Sequence, residues 1–147
     1  MLLAFIALIA MVNGALGTVG GWFGHAQLSL EEITGYLFAP VAFLLGVPWS
    51  ESFQVGTLLG KKLVVNEFVA YLDLQKQLGT LSPRATIIST YALCGFANFS
   101  SIAIQIGGIG ALEPSRKADF ARFGLKALFG ATLAGFTTAC VAGMFVA

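Results

Sequence analysis

Residues 94–101, CGFANFSS, lie at the middle of a run without Asp, Glu, Lys or Arg that extends from Ala85 to Leu112. The run exceeds the roughly 20 residues that a helix needs to cross a bilayer. A spanning helix has no structural reason to concentrate Gly, Asn and Ser at its deepest point. Asn and Ser bond locally to the backbone, and an opened helix at that depth survives only when it is buried in protein or lines a cavity. The stretch therefore predicts a helix that is broken at its centre.

The composition of the whole chain is that of a membrane protein. Of its 147 residues, 57% are hydrophobic and 10% are charged, whereas about a quarter of an ordinary soluble domain is charged. Uncharged runs long enough to span a bilayer occupy residues 2–30, 85–112 and 127–147. The formal net charge of +1 provides no broad basic face for phosphates, which excludes nucleic acid as a partner. We predict an all-α protein embedded in the lipid bilayer.

The segment 50–78 has a different pattern, in which two apolar arms flank a polar centre, KKLVVNEF at residues 61–68. Each arm has about ten to a dozen residues, so at about 1.5 Å per residue it reaches only about half of the hydrocarbon core. That length is expected of a re-entrant helical hairpin. We therefore predict that Glu67, in the polar centre, lies near the middle of the membrane.

The other segments complete the predicted organisation. They are a transmembrane scaffold helix at 1–24, an interfacial helix at 28–48, the broken transmembrane helix at 82–112 and a final transmembrane helix at 115–147. Ser29 followed by Glu32 predicts a helix start with a capping box. Ser82 before Pro83 predicts another helix start.

Two features bear on how these segments are arranged. Basic residues in the connection 113–126 favour the cytoplasm, which places Met1 and that connection inside and the hairpin mouth and Ala147 outside. The first helix carries glycines with four-residue spacing, at Gly17/Gly21 and Gly20/Gly24. Such spacing favours close packing within the fold or a subunit contact, unless the glycines are merely tolerated near a helix end.

Four side chains from the hairpin tip and the helix break form the predicted substrate site. An ionisable group at membrane depth is costly and is by default a functional candidate, which singles out Glu67. Its carboxylate can accept hydrogen bonds from two vicinal hydroxyls, as on a ribose, while Asn98 offers a donor and an acceptor and Ser101 a hydroxyl. Phe96 can give an apolar wall for a sugar or base. Secondary transporters bind solutes at such sites between discontinuous helices.

Other interpretations of these residues remain open at this point. Glu67 can be a solvated acid or can pair with Lys61 or Lys62, and the polar side chains at 98–101 can be interhelical glue. The chain is then a non-transporting membrane scaffold or assembly subunit. An intramembrane enzyme that uses Glu67 as acid or base is a further possibility, but no metal cluster or nucleophile with a base accompanies it, so we expect no enzyme. Cys94 and Cys140 lie in apolar runs and are interpreted as packing residues, not metal ligands.

Two motifs resemble those of the concentrative nucleoside transporters. GKKL at 60–63 runs into NEFVAY at 66–71, and YALCGFANFSS at 91–101 is followed by QIGG at 105–108. The resemblance covers nearly the whole chain, from the sixth span of the family through its second hairpin and its seventh and eighth spans. It implies the C-terminal half of an inverted-repeat transporter that lies in the plasma or inner membrane and assembles as a homotrimer.

The resemblance also implies what each part does. Glu67, Asn98 and Ser101 are expected to bind the ribose of a nucleoside, with Phe96 in the pocket. Uptake is expected to be symport with sodium or protons by alternating access against a static scaffold. In family members, the hairpin that reads the nucleobase and the cation site belong to an N-terminal half, which this sequence lacks. Met1 is therefore expected to be an internal methionine, and the chain to need that N-terminal half for transport.

Overall fold

The computed structural model describes residues 2–25 and 28–146, and the elements in this part of the chain are helical. The helices, in chain order, are α1 (Leu2–Trp22), α2 (Leu30–Leu44), α3 (Trp49–Val64), α4 (Glu67–Lys76), α5 (Pro83–Leu93), α6 (Phe99–Leu112) and α7 (Lys117–Met144). A single 3₁₀ turn, Pro114–Arg116, joins α6 to α7. The predicted all-α class is confirmed. Met1 and Ala147, to which we assigned opposite sides of the membrane, lie outside the described residues.

The helix starts follow local side-chain signals. The Ser29 hydroxyl accepts a hydrogen bond of 3.1 Å from the backbone N–H of Glu32, as the sequence predicts. The Ser82 hydroxyl likewise accepts from the N–H of Ala85 at 3.2 Å, with Pro83 in the first helical turn. Ser82 in turn donates its own N–H and hydroxyl to the carboxylate of Glu51, at 3.1 and 2.9 Å, which fixes the start of α5 to α3.

The segment at 50–78 forms two short helices, α3 of 16 residues and α4 of 10. At about 1.5 Å per residue they are about 24 and 15 Å long, both shorter than a hydrocarbon core of about 30 Å. The segment at 82–112 is divided between α5 and α6, and residues 94–98 between them are not helical. The tip between α3 and α4 and the gap between α5 and α6 lie together, because the Ser100 hydroxyl is 3.2 Å from the carbonyl oxygen of Val65.

The core lies between α2, α3, α5 and α7. Its buried side chains include Val55 and Leu58 of α3, Ile88 and Leu93 of α5, and Ala139 of α7. At the end of the bundle away from the tips, Arg84 donates to the carbonyl oxygens of Gly46 at 2.9 Å and of Val146 at 2.6 Å. These two bonds join the C-terminal ends of α2 and α7 to the start of α5.

Length and composition identify one helix among the described residues as able to cross a membrane by itself, Pro114–Met144. Ile6–Trp22 and Phe99–Leu112 are apolar but shorter. The uncharged run that ends at Leu112 therefore forms two shorter helices, α5 and α6, instead of one spanning helix. Helix α1 is joined to α2 by Asn13, whose amide donates to Glu31 at 2.8 Å and accepts from the N–H of Leu30 at 2.9 Å.

Two interpretations of small residues need correction. Cys140 packs against the core, but Cys94 is exposed in the gap between α5 and α6, so the packing role predicted for Cys94 is wrong. Among the α1 glycines, a β-carbon at Gly14 or Gly21 would meet nothing within 4 Å. Close packing within this chain is therefore not the role of those two glycines, and contact with another chain stays a prediction. Gly20 does pack closely within the chain, since a β-carbon there would overlap the carbonyl oxygen of His25 and lie 2.8 Å from the β-carbon of Leu28. A second close approach occurs between α2 and α3.

Gly56 is the point at which the α2 and α3 backbones touch. A β-carbon there would lie 2.6 Å from the carbonyl oxygen of Gly35 and 2.7 Å from the backbone nitrogen of Ala39. Both atoms are backbone, so the conflict can be relieved only if the helices move apart. The packing of the hairpin on α2 therefore depends on a glycine at this position.

We expect Gly56→Ala to lower the midpoint of thermal unfolding of the detergent-solubilised protein by about 5 °C or more, since overpacking costs about 1–3 kcal/mol. Gly130→Ala is the matched control, because a β-carbon at Gly130 in α7 meets nothing within 4 Å. That control should leave the midpoint unchanged or raise it, since Ala is a better helix former than Gly. Equal midpoints for the two variants would contradict the close approach at Gly56.

Candidate functional site

The hairpin tip and the helix gap each expose the N-terminus of a helix. Asn66 precedes α4 and accepts a hydrogen bond of 2.9 Å from the N–H of Val69. Asn98 precedes α6 and accepts one of 2.7 Å from the N–H of Ser101. Glu67 is in the first turn of α4, where a negative charge is favoured by the positive end of the helix dipole.

The structure joins the two residues that the sequence identifies as most informative. The Asn98 side-chain amide donates to Oε2 of Glu67 at 2.8 Å, across 31 residues of sequence. Asn98 is 2% exposed, and Glu67 is half-buried. No described residue donates a hydrogen bond to the other carboxylate oxygen of Glu67, Oε1. Glu67 therefore has one oxygen held by protein and one oriented by that contact for a further donor.

Asn98 is also the centre of a hydroxyl cluster. Its Oδ1 atom lies 2.6 Å from the Ser100 hydroxyl and 2.9 Å from the Ser101 hydroxyl. Ser100 is 3% exposed and lies between Asn98 and the carbonyl of Val65, so it serves as interhelical glue, one of the alternatives above. Ser101 is less buried and faces the neighbouring cavity.

The alternative in which Glu67 pairs with a lysine is wrong for the described residues. Lys61 instead forms an ion pair with Asp73, near the C-terminal end of α4. Lys62 instead donates to the carbonyl oxygen of Ala92 at 2.9 Å. The Glu67 carboxylate thus keeps its hydrogen-bonding capacity for Asn98 and for a ligand.

A cavity of about 100 Å³ adjoins the cluster. Its polar wall consists of Asn98 and Ser101, its rim includes Phe96, and its apolar wall comes from α7 with Gly124 and Leu128. Phe96 is 80% exposed, so its ring is available to a ligand. Pockets that enclose a small molecule have volumes of about 300–1,000 Å³, so this cavity by itself is too small to enclose one.

Sequence reasoning missed Gln105, which lines the same cavity. It lies four residues after Ser101 and seven after Asn98, which places all three on one face of a helix. That spacing is the signal that could have identified it. A second cavity, of about 290 Å³, continues from Gln105 along α7 to Arg116 and Asp119. Gln105 thus lies where the polar cavity meets a wider groove.

The gap between α5 and α6 depends on Gly95. Its φ angle is +116°, a conformation that side chains rarely adopt. The turn at Gly95 lets α5 end at Leu93 while Asn98 starts α6. Of the four predicted site residues, Phe96, Asn98 and Ser101 line one cavity. Glu67 does not line this cavity, but it is hydrogen-bonded to Asn98, which does.

Comparison with known proteins identifies the family that this sequence matches. Residues 1–143 match the family model described as Na+ dependent nucleoside transporter C-terminus. The chain is 56% identical over 146 residues to the uncharacterized transporter YutK of Bacillus subtilis, covering 99% of this chain and 36% of that protein. It is 47% identical over 151 residues to the nucleoside permease NupC of Helicobacter pylori, covering 99% and 36%.

A solved structure of CNTnw in an inward-facing, substrate-bound state has the same fold. Its TM-score is 0.86 at 50% sequence identity, over 98% of this chain and 36% of that chain. The chain thus spans about a third of the length of these proteins. The chain described above is therefore similar to one continuous part of each relative.

The Asn98–Glu67 contact can be tested by exchanging its two partners. Asn98→Asp keeps a helix cap but replaces the donor to Glu67 with a second carboxylate. It should lower the midpoint of thermal unfolding by about 5 °C, which corresponds to about 2 kcal/mol. Adding Glu67→Gln restores the bond with donor and acceptor reversed, and at least half of the loss should be recovered.

Gln105→Glu is the control for this exchange, because it adds a carboxylate to the same cavity without altering the Asn98–Glu67 bond. Its midpoint should change less than that of Asn98→Asp. Purely additive effects of Asn98→Asp and Glu67→Gln in the double variant would show that the two side chains are not coupled.

Proposed function

The chain belongs to the Na+-dependent nucleoside transporter family, and from that premise we propose that it supplies the ribose-binding part of a cation-coupled nucleoside symporter. The observation that carries the proposal is the bond between Glu67 and Asn98, at the meeting point of two helix N-termini. The relatives are named as transporters and permeases, which supports transport rather than enzymatic chemistry.

The chemistry of the site suits a sugar with vicinal hydroxyls. One hydroxyl can donate to the oxygen of Glu67 that no described residue occupies, and a second can share Oε2 or accept from the Asn98 amide. The Ser101 hydroxyl, on the cavity side of Asn98, offers a further donor or acceptor. Phe96 then covers an apolar face of the ligand. Hydrogen bonds to a charged acceptor are the stronger kind, so Glu67 contributes most of the grip.

The rest of the transporter completes the site in this proposal. The relatives extend well beyond the matched region, and we assign to that N-terminal part the residues that read the nucleobase and bind the coupling ion. The ion is sodium or a proton, and the description of the matching family favours sodium. Transport proceeds by alternating access in the cell membrane, and the transporter is a homotrimer. The open face of α1 at Gly14 and Gly21 is available for a contact with another subunit.

The decisive experiment measures uptake of radiolabelled uridine by cells that express a complete transporter carrying these residues. Glu67→Gln should reduce uptake at least about tenfold, since a hydrogen bond to a charged group contributes about 1.5–3 kcal/mol. Glu113→Gln is the matched control, because Glu113 is exposed at the end of α6, away from the cavity, and should leave uptake unchanged.

A second measurement on the native transporter and Glu67→Gln tests the sugar-binding role directly. A 2′,3′-dideoxynucleoside lacks the hydroxyls that Glu67 is proposed to bind. Glu67→Gln should therefore weaken its competition with uridine much less than that of the parent nucleoside. An equal effect on both ligands would assign Glu67 to the fold instead. Unchanged uridine uptake in Glu67→Gln would contradict the proposed role of Glu67, whereas absence of uridine uptake by the complete native protein would favour a non-transporting scaffold.

A further inference from the structure

Lys62 is a buried cation that the proposed sugar site does not use. It is 3% exposed, and within residues 2–25 and 28–146 it is the one buried side chain that carries a formal charge. Burial of an ammonium group is expensive unless a partner compensates for the lost hydration. Its direct partner is the carbonyl oxygen of Ala92, at 2.9 Å.

Ala92 is in the last turn of α5, where carbonyl groups have no partner within the helix. Three successive carbonyls in the last turn of α5 are satisfied one after another. Thr90 accepts from the Tyr71 hydroxyl at 2.7 Å, Tyr91 from the N–H of Cys94 at 3.2 Å, and Ala92 from Lys62. The hairpin therefore supplies two of the donors that let α5 stop at this depth.

The surroundings of the ammonium resemble a cation site. A β-carbon at Gly135 of α7 would lie 3.9 Å from Nζ of Lys62, 3.9 Å from the Ala92 oxygen and 3.7 Å from the Cys94 oxygen. The ammonium, the Ala92 oxygen that accepts from it at 2.9 Å and the Cys94 oxygen of the gap thus all lie beside Gly135 of α7. Helix C-termini and unwound carbonyls are the groups that coordinate coupling cations in secondary transporters.

We propose that the Lys62 ammonium is a tethered cation that occupies, in this part of the transporter, the place of a bound alkali ion. It neutralises the carbonyl end of α5, so that the gap stays open without a second coupling ion. Lys62 is then a positioning residue: it acts on the sugar through the shape of residues 94–98 and does not touch it. This inference rests on the proposed nucleoside site.

Chemical rescue tests the inference in the complete transporter. Lys62→Ala removes the ammonium and leaves a space for a small free cation. Backbone amides of residues 94–98 should then exchange with deuterium at least about tenfold faster, and uridine uptake should fall at least about tenfold. Millimolar methylammonium should restore both towards the native values. Lys62→Met fills the space without a charge, so its losses should not respond to methylammonium.

Tyr71→Phe is the matched control, since it removes a neutral donor from the same helix end and should show no response to methylammonium. Native behaviour of Lys62→Met would overturn the proposal, as would the failure of methylammonium to slow amide exchange in Lys62→Ala. If Lys62→Ala does not fold, the amide exchange of Lys62→Met alone decides. Faster exchange at residues 94–98 would support the proposal, and native exchange rates would overturn it. Amide exchange needs no nucleoside, so absence of uridine uptake in the native protein would refute the proposed function without deciding the role of Lys62.

Discussion

The structure depends on how helix ends are satisfied where water is scarce. Four ends meet at the tips: the C-termini of α3 and α5, and the N-termini of α4 and α6. The C-termini carry partial negative charge and receive the Lys62 ammonium, whereas the N-termini carry partial positive charge and receive Glu67 and the Asn98 side chain. Each charged group thus compensates a backbone end. The same compensation creates the polar surface of the proposed solute site.

The opposite end of the bundle keeps this arrangement in register. Arg84 joins the C-termini of α2 and α7, and Glu51 holds the start of α5. Close approach at Gly56 then sets the distance between the hairpin and α2. The tips are consequently presented by a braced unit, so a movement of the hairpin and the broken helix as one body preserves the geometry of the site.

The sequence predicted the features that arise from local chemistry. Helix caps at Ser29 and Ser82 need only neighbouring residues, and the polar stretch at 94–101 signals the gap by its contrast with lipid. The sequence could suggest that Glu67 and Asn98 lie at the same depth in the membrane, but it could not predict that they form a hydrogen bond. Lys62 and Cys94 were beyond sequence reasoning, because their surroundings are set by α5 and α7, which approach only in three dimensions. Gln105 was accessible from its helical spacing and was overlooked.

Ser100 has a choice between two hydrogen bonds where the hairpin tip meets the broken helix. Its single hydroxyl hydrogen has two acceptors within reach, the Val65 carbonyl at 3.2 Å and Oδ1 of Asn98 at 2.6 Å. Because it can donate to only one at a time, it can transfer its bond from the hairpin to the broken helix without a loss in the number of bonds. At this position the broken helix can therefore exchange a bond to the hairpin for a bond within itself, whereas the Asn98–Glu67 bond still joins the two elements.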